Sequence, residues 1–360
     1  MKFLIVTNHS YMLWRFRKEL IEQLQKSGEV AISTPFVGHE DDFKQIGCKC
    51  IKTDLDRRSI NPITDIGLFF NYRKILKEEK PDIVITYSIK PNIYASFLCR
   101  VFKIPYCVNV QGLGTAFQKK GISTIVTFLY KMALKKAKAV FFENDSNLGE
   151  FLKRRIVSQK QAVLLPGAGV NVGQYPQMPY PEETDGVHFL YLGRIMKEKG
   201  IDELFEAAVA LKEKYPEKFH LDLVGFFEDE YKSRVEELEK EGVVKFHGFQ
   251  PEPTPFYTSA HCVVLPSYHE GMSNVVLEAA STARAVITSN ISGCREGVED
   301  SVTGFLCEKK NAEDLMHCME RFLNMTKQER EAMGIAGRKK VVAEFEKEMV
   351  VEKTVAEIMK

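Results

Sequence analysis

Short apolar runs alternate with longer amphipathic segments along the whole chain, and this alternation limits the possible folds more than any other feature. In the first half, runs rich in valine and isoleucine predict strands at 2–8, 30–34, 50–54, 82–88, 106–111 and 139–144, with a further candidate at 163–165. Helical periodicity between them predicts helices at 14–25, 65–77, 93–102 and 122–138. Strands that alternate with helices in this way indicate βαβ units on a parallel sheet.

The second half repeats the same pattern. Strands are predicted at 188–192, 220–224, 243–248, 262–266, 285–288 and 304–307, and helices at 200–214, 229–242, 254–259, 273–281, 312–323, 327–345 and 348–359. Between the halves, residues 166–181 contain four prolines and few periodic apolar residues, which is typical of a linker. At 360 residues the chain is long for one domain, so we expect two doubly wound α/β domains.

Composition and cysteine usage exclude several classes of protein. The sequence is 44% hydrophobic and 28% charged, which is ordinary for a soluble globular protein and unlike a collagen-like or mostly disordered chain. No apolar run is long enough to cross a bilayer, so we expect no transmembrane or secretory segment. The eight cysteines form no C-x-x-C pair, and we expect free buried thiols in a reducing cytoplasm.

The first predicted strand of each half lacks the glycine-rich turn that binds a dinucleotide. In the first half this strand ends in Thr7-Asn8-His9-Ser10, and no Gly-x-Gly-x-x-Gly occurs at either place. Because that turn lets the backbone approach a pyrophosphate, its absence disfavours an oxidoreductase.

The net charge of +1 conceals a basic first half and an acidic second half. Residues 1–172 hold 27 lysines and arginines against 15 aspartates and glutamates, whereas residues 173–360 hold the other 23 against 34. A basic domain indicates an anionic partner, which could be an acidic membrane surface, a phosphorylated lipid or nucleic acid. Drift of solvated surface charge is the alternative. No nucleic-acid-binding module is recognisable, so we expect no nucleic acid partner.

Basic residues near apolar ones favour contact with an anionic membrane. Lys131, Lys135 and Lys138 are predicted to share one face of the 122–138 helix, and further basic clusters lie at 14–18, 119–120 and 153–155. Basic charge beside apolar side chains suits an anionic leaflet. A solvated helix face is the alternative.

A basic loop follows the first predicted strand of the second half. It begins with Gly193-Arg194 and ends with Lys199-Gly200, after which a helix begins. An arginine gives bidentate recognition of phosphate, and a lysine adds a point charge. The loop is therefore either a clamp for a diphosphate or an ordinary strand-to-helix connection with solvated basic residues.

A second loop runs from the strand end at Pro266 to a helix that begins near Ser273. Glu270 lies in this loop, and Glu278 lies in the helix. The free amides and positive dipole at a helix start form an anion site, whereas carboxylates suit the hydroxyls of ribose or a sugar ring. Two glutamates eight residues apart are common in this chain, so their place at the sheet edge matters more than their spacing.

Together these two motifs resemble the donor site of retaining glycosyltransferases of family 4. The resemblance covers both halves and is closest around 265–279. It implies an α/β fold of the GT-B type, with two doubly wound, Rossmann-like domains facing across a cleft. The acceptor-binding domain would be 1–172, the nucleotide-sugar donor domain 173–345, and 346–360 a C-terminal helix that crosses back to the first domain.

The resemblance also implies roles for the donor-site residues. Arg194 and Lys199 would neutralise the diphosphate, and Glu278 would hold the ribose hydroxyls. Glu270 would contact the transferred sugar or lie near its reacting face. Glu270, Arg194 and Lys199 are thus the predicted catalytic residues. Gly193 is a further predicted donor-binding residue. The amides of Gly271, Met272, Ser273 and Asn274 would bind sugar hydroxyls or the β-phosphate, and the loop containing Gly248 and Phe249 would meet the base. Preplaced cations and helix amides stabilise a leaving diphosphate without a metal, so we expect no metal and no cofactor.

Polar loops after the strands of the first half are similar to those of a subgroup acting on polyprenyl-diphosphate-linked sugars. The predicted acceptor-binding residues are His9, Lys90, Gly112, Gly114 and Asn144. His9 would contact the donor or cap the next helix, and Lys90 would meet an acceptor phosphate or be a surface lysine before a turn proline. The first loop lacks the glycines of many family members, and the loop at 111–112 lacks their histidine.

The sequence therefore predicts a retaining transferase in the cytoplasm, at the inner face of a bacterial membrane. It would move a hexose or N-acetylhexosamine from a nucleotide sugar, expected to be UDP-linked, to a lipid-diphosphate-linked glycan of surface polysaccharide or glycoprotein glycan assembly. Retention follows from a same-face route in which the leaving phosphate deprotonates the acceptor, or from Glu270 as a covalent nucleophile. The alternatives are a UDP-sugar epimerase of the same fold and a non-catalytic nucleotide-sugar-binding protein.

Overall fold

The computed structural model describes residues 1–53, 62–113, 117 and 121–360. These residues form two compact units, Met1–Ala168 with Glu348–Lys360, and Gly169–Lys347. The first unit ends at Ala168, before the expected boundary at 172, because the backbone of Val170 pairs with residues of the second unit. Its N–H donates to the Phe345 carbonyl (2.8 Å), and its carbonyl accepts from the Lys347 N–H (2.9 Å).

The first unit is built on a parallel sheet with the strand order β3-β2-β1-β4-β5-β6-β7. Its strands are β1 (Lys2–Val6), β2 (Glu29–Thr34), β3 (Lys49–Lys52), β4 (Ile83–Tyr87), β5 (Tyr106–Val110), β6 (Ala139–Phe142) and β7 (Ala162–Leu164). Its helices are α1 (Ser10–Gln25), α2 (Glu40–Gln45), α3 (Pro62–Glu79), α4 (Ile89–Phe102), α5 (Ile122–Leu134) and α6 (Asp145–Lys153). All residues of β4 and β5 are buried, because helices cover both faces of such a sheet.

The second unit is built on a parallel sheet with the strand order β10-β9-β8-β11-β12-β13. Its strands are β8 (Val187–Leu192), β9 (Phe219–Val224), β10 (Lys245–Phe246), β11 (Cys262–Leu265), β12 (Ala285–Ser289) and β13 (Gly304–Cys307). Its helices are α7 (Ile201–Lys214), α8 (Lys232–Lys240), α9 (Thr254–Ser259), α10 (Asn274–Ser281), α11 (Ala312–Leu323) and α12 (Lys327–Phe345). Each sheet contains the doubly wound order 3-2-1-4-5-6, and the predicted α/β class is confirmed.

The last helix, α13 (Lys347–Met359), packs on the first unit. Val351 and Ile358 are buried in the apolar cluster that contains the β1 side chains. The Nζ of Lys138 donates to the Ile358 carbonyl (2.8 Å), and the Nζ of Lys353 donates to the Leu164 carbonyl (2.9 Å). The end of the chain therefore completes the core of the first unit.

Several helix ends differ from the predicted ones. Helix α4 begins at Ile89 rather than at 93, because the first turn of a helix accepts Pro91, whose missing N–H has no helical partner there. The short helices α2 and α6 were not predicted, since each spans too few residues to show a clear period. Strand β10 is only Lys245–Phe246 rather than 243–248.

The predicted lysine face on the 122–138 helix is wrong. Helix α5 ends at Leu134, and Lys135 is its C-terminal cap. Lys138 lies directly before β6, and its ammonium bonds to α13 instead. The chain must leave the helix early because β6 begins at Ala139. Of the other basic residues cited for this surface, Lys119 and Lys120 lie outside the described residues.

All eight cysteines lie in described residues and are free thiols. Burial raises the pKa of Cys107 to about 12 and that of Cys318 to about 11. These thiols are therefore protonated at neutral pH and behave as small apolar side chains.

Candidate functional site

The two donor motifs of the second unit flank the point where the strand order of its sheet reverses. Strands β8 and β11 are neighbours, and the chain leaves them through the loops 193–200 and 266–273. Open parallel sheets bind ligands at this point, beyond the carboxyl ends of the strands. The Tyr268 N–H donates to the Glu198 carbonyl at 2.9 Å, so the two loops are joined through their backbones.

A close ion pair connects the same two loops. The Nζ of Lys199 lies 2.5 Å from Oε1 of Glu270, and the side chains are 17% and 13% exposed. Gly200 has φ +72°, and a Cβ there would lie 2.1 Å from the Pro266 carbonyl oxygen. Only glycine fits this approach. The structure thus brings together a cation and a carboxylate that the sequence assigned to separate motifs.

Arg194 extends from the end of β8 with 45% of its side chain exposed. Its Nη1 lies 3.9 Å from Oε1 of Glu228, which is beyond hydrogen-bond distance. The Arg194 carbonyl accepts from the hydroxyl of buried Tyr191 at 2.6 Å. This hydrogen bond holds the backbone of Arg194 in place, while its guanidinium stays accessible. Such a group can bind phosphate in a bidentate manner.

The start of α10 carries the predicted amide donors, and the structure corrects one of them. The Ser273 N–H donates to the Gly293 carbonyl at 2.7 Å, so this amide is used within the protein. The Ser273 hydroxyl accepts from the Val276 N–H as the N-cap. Gly271, Met272 and Asn274 precede or begin the helix, and their contact with a donor stays a prediction.

Glu278 lies inside α10 and is only 5% exposed. The hydroxyl of Tyr257 donates to its Oε2 at 2.9 Å, and the Tyr257 carbonyl accepts from Nε of Arg284 at 2.8 Å. Tyr257 and Arg284 are fully buried. The Tyr257 hydroxyl thus fixes the position of a buried carboxylate within α10, and the ribose-binding role of Glu278 stays a prediction. Tyr257 is not predictable from the sequence, because no pattern shows that its hydroxyl in α9 reaches Glu278 in α10.

Backbone-to-backbone packing shapes the neighbouring edge of the sheet. The Gly225 N–H donates to the Gly248 carbonyl at 2.9 Å, and a Cβ on Gly225 would lie 1.8 Å from the Gly193 carbonyl oxygen. Three strand ends therefore meet with no side chain between them. Phe249, predicted to meet the base, follows Gly248 and is 52% exposed. Phe226, which no sequence motif marks, lies beside it and is 44% exposed.

In the first unit, the loops after β1 and β4 also meet where the strand order reverses. The Ser88 hydroxyl donates to Oδ1 of Asn8 at 2.6 Å, and Ser88 has φ +73°, a strained value for a serine. His9 is the N-cap of α1, with its Nδ1 accepting from the Met12 N–H at 3.3 Å. Of the two roles predicted for His9, the structure contains the capping one.

Lys90 lies in the first turn of α4, so its description as a surface lysine before a turn proline is wrong. Its Nζ is 2.8 Å from Oδ1 of Asp65, and both side chains are 18% exposed. Asn144 is buried as the N-cap of α6, accepting from the Asn147 N–H at 2.8 Å. Gly112 is exposed, and Gly114 lies outside the described residues. An acceptor-binding role for these residues stays a prediction.

The described part of the chain contains neither a cluster of metal-ligating side chains nor a membrane-spanning helix. Among them, no group of three or more His, Cys, Asp and Glu side chains is arranged to hold a metal ion. No helix within the same residues combines the length and the apolarity that crossing a bilayer requires.

Two family models match the chain. The model of glycosyl transferases group 1 matches residues 179–340, and the glycosyl transferase 4-like model matches residues 2–144. The first match contains the Lys199–Glu270 pair and Glu278, and the second contains the strand-end loops of the first unit.

Similar proteins agree with these matches. The N,N'-diacetylbacillosaminyl-diphospho-undecaprenol alpha-1,3-N-acetylgalactosaminyltransferase of Campylobacter jejuni is 26% identical over 84% of each chain. The UDP-Gal:alpha-D-GlcNAc-diphosphoundecaprenol alpha-1,3-galactosyltransferase of Escherichia coli is 24% identical over 73% of this chain and 72% of its own. The crystal structure of Anabaena HepE in complex with UDP and glucose has a TM-score of 0.81 at 14% identity and covers 100% of both chains. The chain therefore belongs to the family 4 type of glycosyltransferases and has the GT-B fold.

Proposed function

We propose that the protein transfers a hexose or N-acetylhexosamine from a UDP-sugar to a lipid-diphosphate-linked glycan, with retention at the anomeric carbon. The names of the Campylobacter and Escherichia relatives specify acceptors linked to diphospho-undecaprenol, and HepE binds UDP. These relatives support the substrate class, whereas the donor chemistry is argued from the residues of the second unit.

The observation that carries the proposal is the Lys199–Glu270 ion pair where the strand order reverses. When the bond between the sugar and the diphosphate breaks, negative charge develops on the leaving phosphate. Lys199 is held close to Glu270 and Arg194 is accessible, so both cations are in place before the charge forms. The N-terminal end of α10 adds the positive end of its dipole. Preorganised charge of this kind lowers the barrier without a metal ion.

Glu270 and Glu278 have different environments and, in this proposal, different tasks. Glu278 is buried beside Tyr257 and binds the ribose hydroxyls, which fixes the nucleotide. Glu270 is paired with Lys199 and faces the transferred sugar. Because the Lys199 ammonium stabilises the negative charge of the Glu270 carboxylate, this carboxylate is a weak nucleophile. We therefore favour the same-face route, in which the leaving phosphate takes the proton of the acceptor hydroxyl.

We also propose that the first unit binds an anionic membrane surface through α5. Ile125 and Phe128 are 62% and 59% exposed, and they lie one turn apart on the same helix face. Lys131 follows in the next turn and is also exposed. Exposed apolar side chains followed by a cation fit the boundary between acyl chains and anionic headgroups.

Vesicle binding tests the membrane proposal. Phosphatidylglycerol vesicles should bind the wild-type protein, more weakly as salt rises, and the double variant Ile125→Ser/Phe128→Ser should bind less. Val101→Ser is the control, since Val101 is an exposed apolar residue of α4 (56%) outside this face. Equal binding by all three proteins would contradict the role of α5.

Nucleotide release from a panel of UDP-, GDP- and ADP-sugars tests the transferase proposal, with and without polyprenyl-diphosphate glycans. We expect release of UDP that depends on the acceptor. A new nucleotide sugar without release would identify an epimerase. Binding without any turnover would identify a nucleotide-sugar-binding protein.

A further inference from the structure

Tyr268 connects the 266–273 loop, which carries Glu270, to the chain on both sides of Lys199. Its N–H donates to the Glu198 carbonyl at 2.9 Å. Its hydroxyl donates to the Glu203 carboxylate, with the phenol oxygen 2.6 and 2.7 Å from the two carboxylate oxygens. Glu203 lies in the first turn of α7, which directly follows the 193–200 loop. The two contacts of Tyr268 therefore bracket Lys199 along the chain.

The Tyr268 side chain is buried and fixed by its surroundings. It is 5% exposed, and the ammonium of Lys310 lies 4.8 Å from the centre of its ring, within the range of a cation–π contact. Burial, together with the hydrogen bond to Glu203, raises the pKa of the hydroxyl, so this group keeps its proton at neutral pH and stays a donor. A phenol held in this way fixes the 266–273 loop against the start of α7.

The Lys199–Glu270 ion pair joins the ends of two long side chains, and such side chains have many rotamers. Their placement therefore depends on the backbones from which they extend. Glu270 lies two residues after Tyr268, and Lys199 directly follows Glu198. A displacement of about 1 Å at a reacting group can lower a rate by about 100-fold. Loss of a Tyr268 contact would thus affect the charged pair through its backbone.

We infer that Tyr268 and Glu203 are positioning residues that hold Lys199 and Glu270 in the arrangement needed for sugar transfer. This inference rests on the proposed function and adds the groups that support its two charged residues. The hydroxyl of Tyr268 donates to Glu203, so its effect on the reaction passes through the two loops rather than through a contact with the substrate.

Removal of the hydroxyl tests the inference. Tyr268→Phe keeps the ring and the backbone contact, and it should lower kcat by about 10- to 100-fold. Glu203→Leu should lower kcat to the same extent, whereas Glu203→Gln keeps an oxygen that accepts from the hydroxyl and should retain most of the wild-type rate. Tyr231→Phe is the matched control and should leave kcat unchanged. Its hydroxyl also donates to a carboxylate in the first turn of α7, Oδ1 of Asp202 at 2.8 Å, but from outside both loops.

A double-mutant cycle with Lys199→Ala separates positioning from a general loss of stability. If Tyr268 acts through Lys199, Tyr268→Phe should lower kcat and weaken pyrophosphate binding in the wild-type background, and neither value should change further in the Lys199→Ala background. Calorimetry with pyrophosphate measures this cycle without sugar transfer. Glu203→Leu takes the place of Tyr268→Phe in the cycle if the phenylalanine variant does not fold.

A kcat equal to that of the wild type in both Tyr268→Phe and Glu203→Leu would overturn the inference. Equal effects of Tyr268→Phe in the two backgrounds would also overturn it, since the tyrosine would then act independently of Lys199. The proposed function is judged separately, by sugar transfer from the wild-type protein. An active wild type with an additive cycle contradicts the positioning role alone, whereas an inactive wild type with a coupled pyrophosphate cycle contradicts the proposed transfer alone.

Discussion

Replacing Tyr257 by phenylalanine tests whether buried Glu278 binds the ribose of the donor. The change removes one hydroxyl, which donates to Oε2 of Glu278 at 2.9 Å from a fully buried ring. A hydrogen bond to a charged group contributes about 1.5–3 kcal/mol. If that bond orients the carboxylate toward the ribose, UDP binding weakens by up to about 100-fold. The KM for the donor should rise more than kcat falls.

The assay compares UDP with a 2′,3′-dideoxy analogue, which lacks the ribose hydroxyls. The wild-type protein should prefer UDP, and Tyr257→Phe should lose most of that preference. Tyr215→Phe is the control, because its hydroxyl also donates to a carboxylate, Oε1 of Glu320 at 2.8 Å, between α7 and α11. If the Tyr257→Phe variant keeps the full preference for ribose hydroxyls, the Tyr257 hydroxyl does not orient Glu278 toward the ribose.

Three further changes test other parts of the structure. Lys199→Ala should lower kcat by about 100-fold or more, while the melting temperature stays near that of the wild type. Normal turnover in this variant would show that Lys199 does not stabilise the leaving diphosphate. Burial lowers the pKa of His261 to about 4, below its ordinary value near 6.5, so the unfolded chain takes up the proton more readily. The free energy of unfolding therefore has its full value above about pH 6.5 and falls by about 3 kcal/mol as the pH drops toward 4. His261→Asn should flatten this decline, as measured by urea unfolding at a series of pH values. An unchanged slope of unfolding free energy against pH would contradict the burial effect at His261. Gly225→Ala places a Cβ 1.8 Å from the Gly193 carbonyl oxygen and should destabilise the second unit strongly, whereas Gly112→Ala meets nothing within 4 Å; equal melting temperatures would contradict this packing.

The fold class could be predicted because the strands of a parallel sheet are buried on both faces and appear as apolar runs. β4 is an example, with five buried residues in a row. Short elements such as β10 and α6 could not be placed as well, because their boundaries depend on tertiary contacts. Helix α5 shows the same limit, since its end at Leu134 depends on where β6 begins.

The candidate site was predictable where residue type and chain position both point to one chemistry. Arg194, Lys199 and Glu270 follow strands that are adjacent in the sheet, so their loops had to meet. Side-chain partners distant in sequence were not predictable. Lys90 of α4 pairs with Asp65 of α3, and no pattern in the sequence indicates this contact. The exposure of Phe226 is likewise not indicated by its sequence position.

The proposed transfer is tested by analysing the product of a reaction with a UDP-sugar and a polyprenyl-diphosphate glycan. Mass spectrometry should show the lipid-linked glycan extended by one sugar, in a one-to-one ratio with the UDP released, and NMR should show the anomeric configuration of the donor retained. Lys199→Ala should yield little of this product. UDP release without extension of the glycan would contradict sugar transfer to the lipid-linked acceptor, and an extended product with inverted configuration would contradict retention.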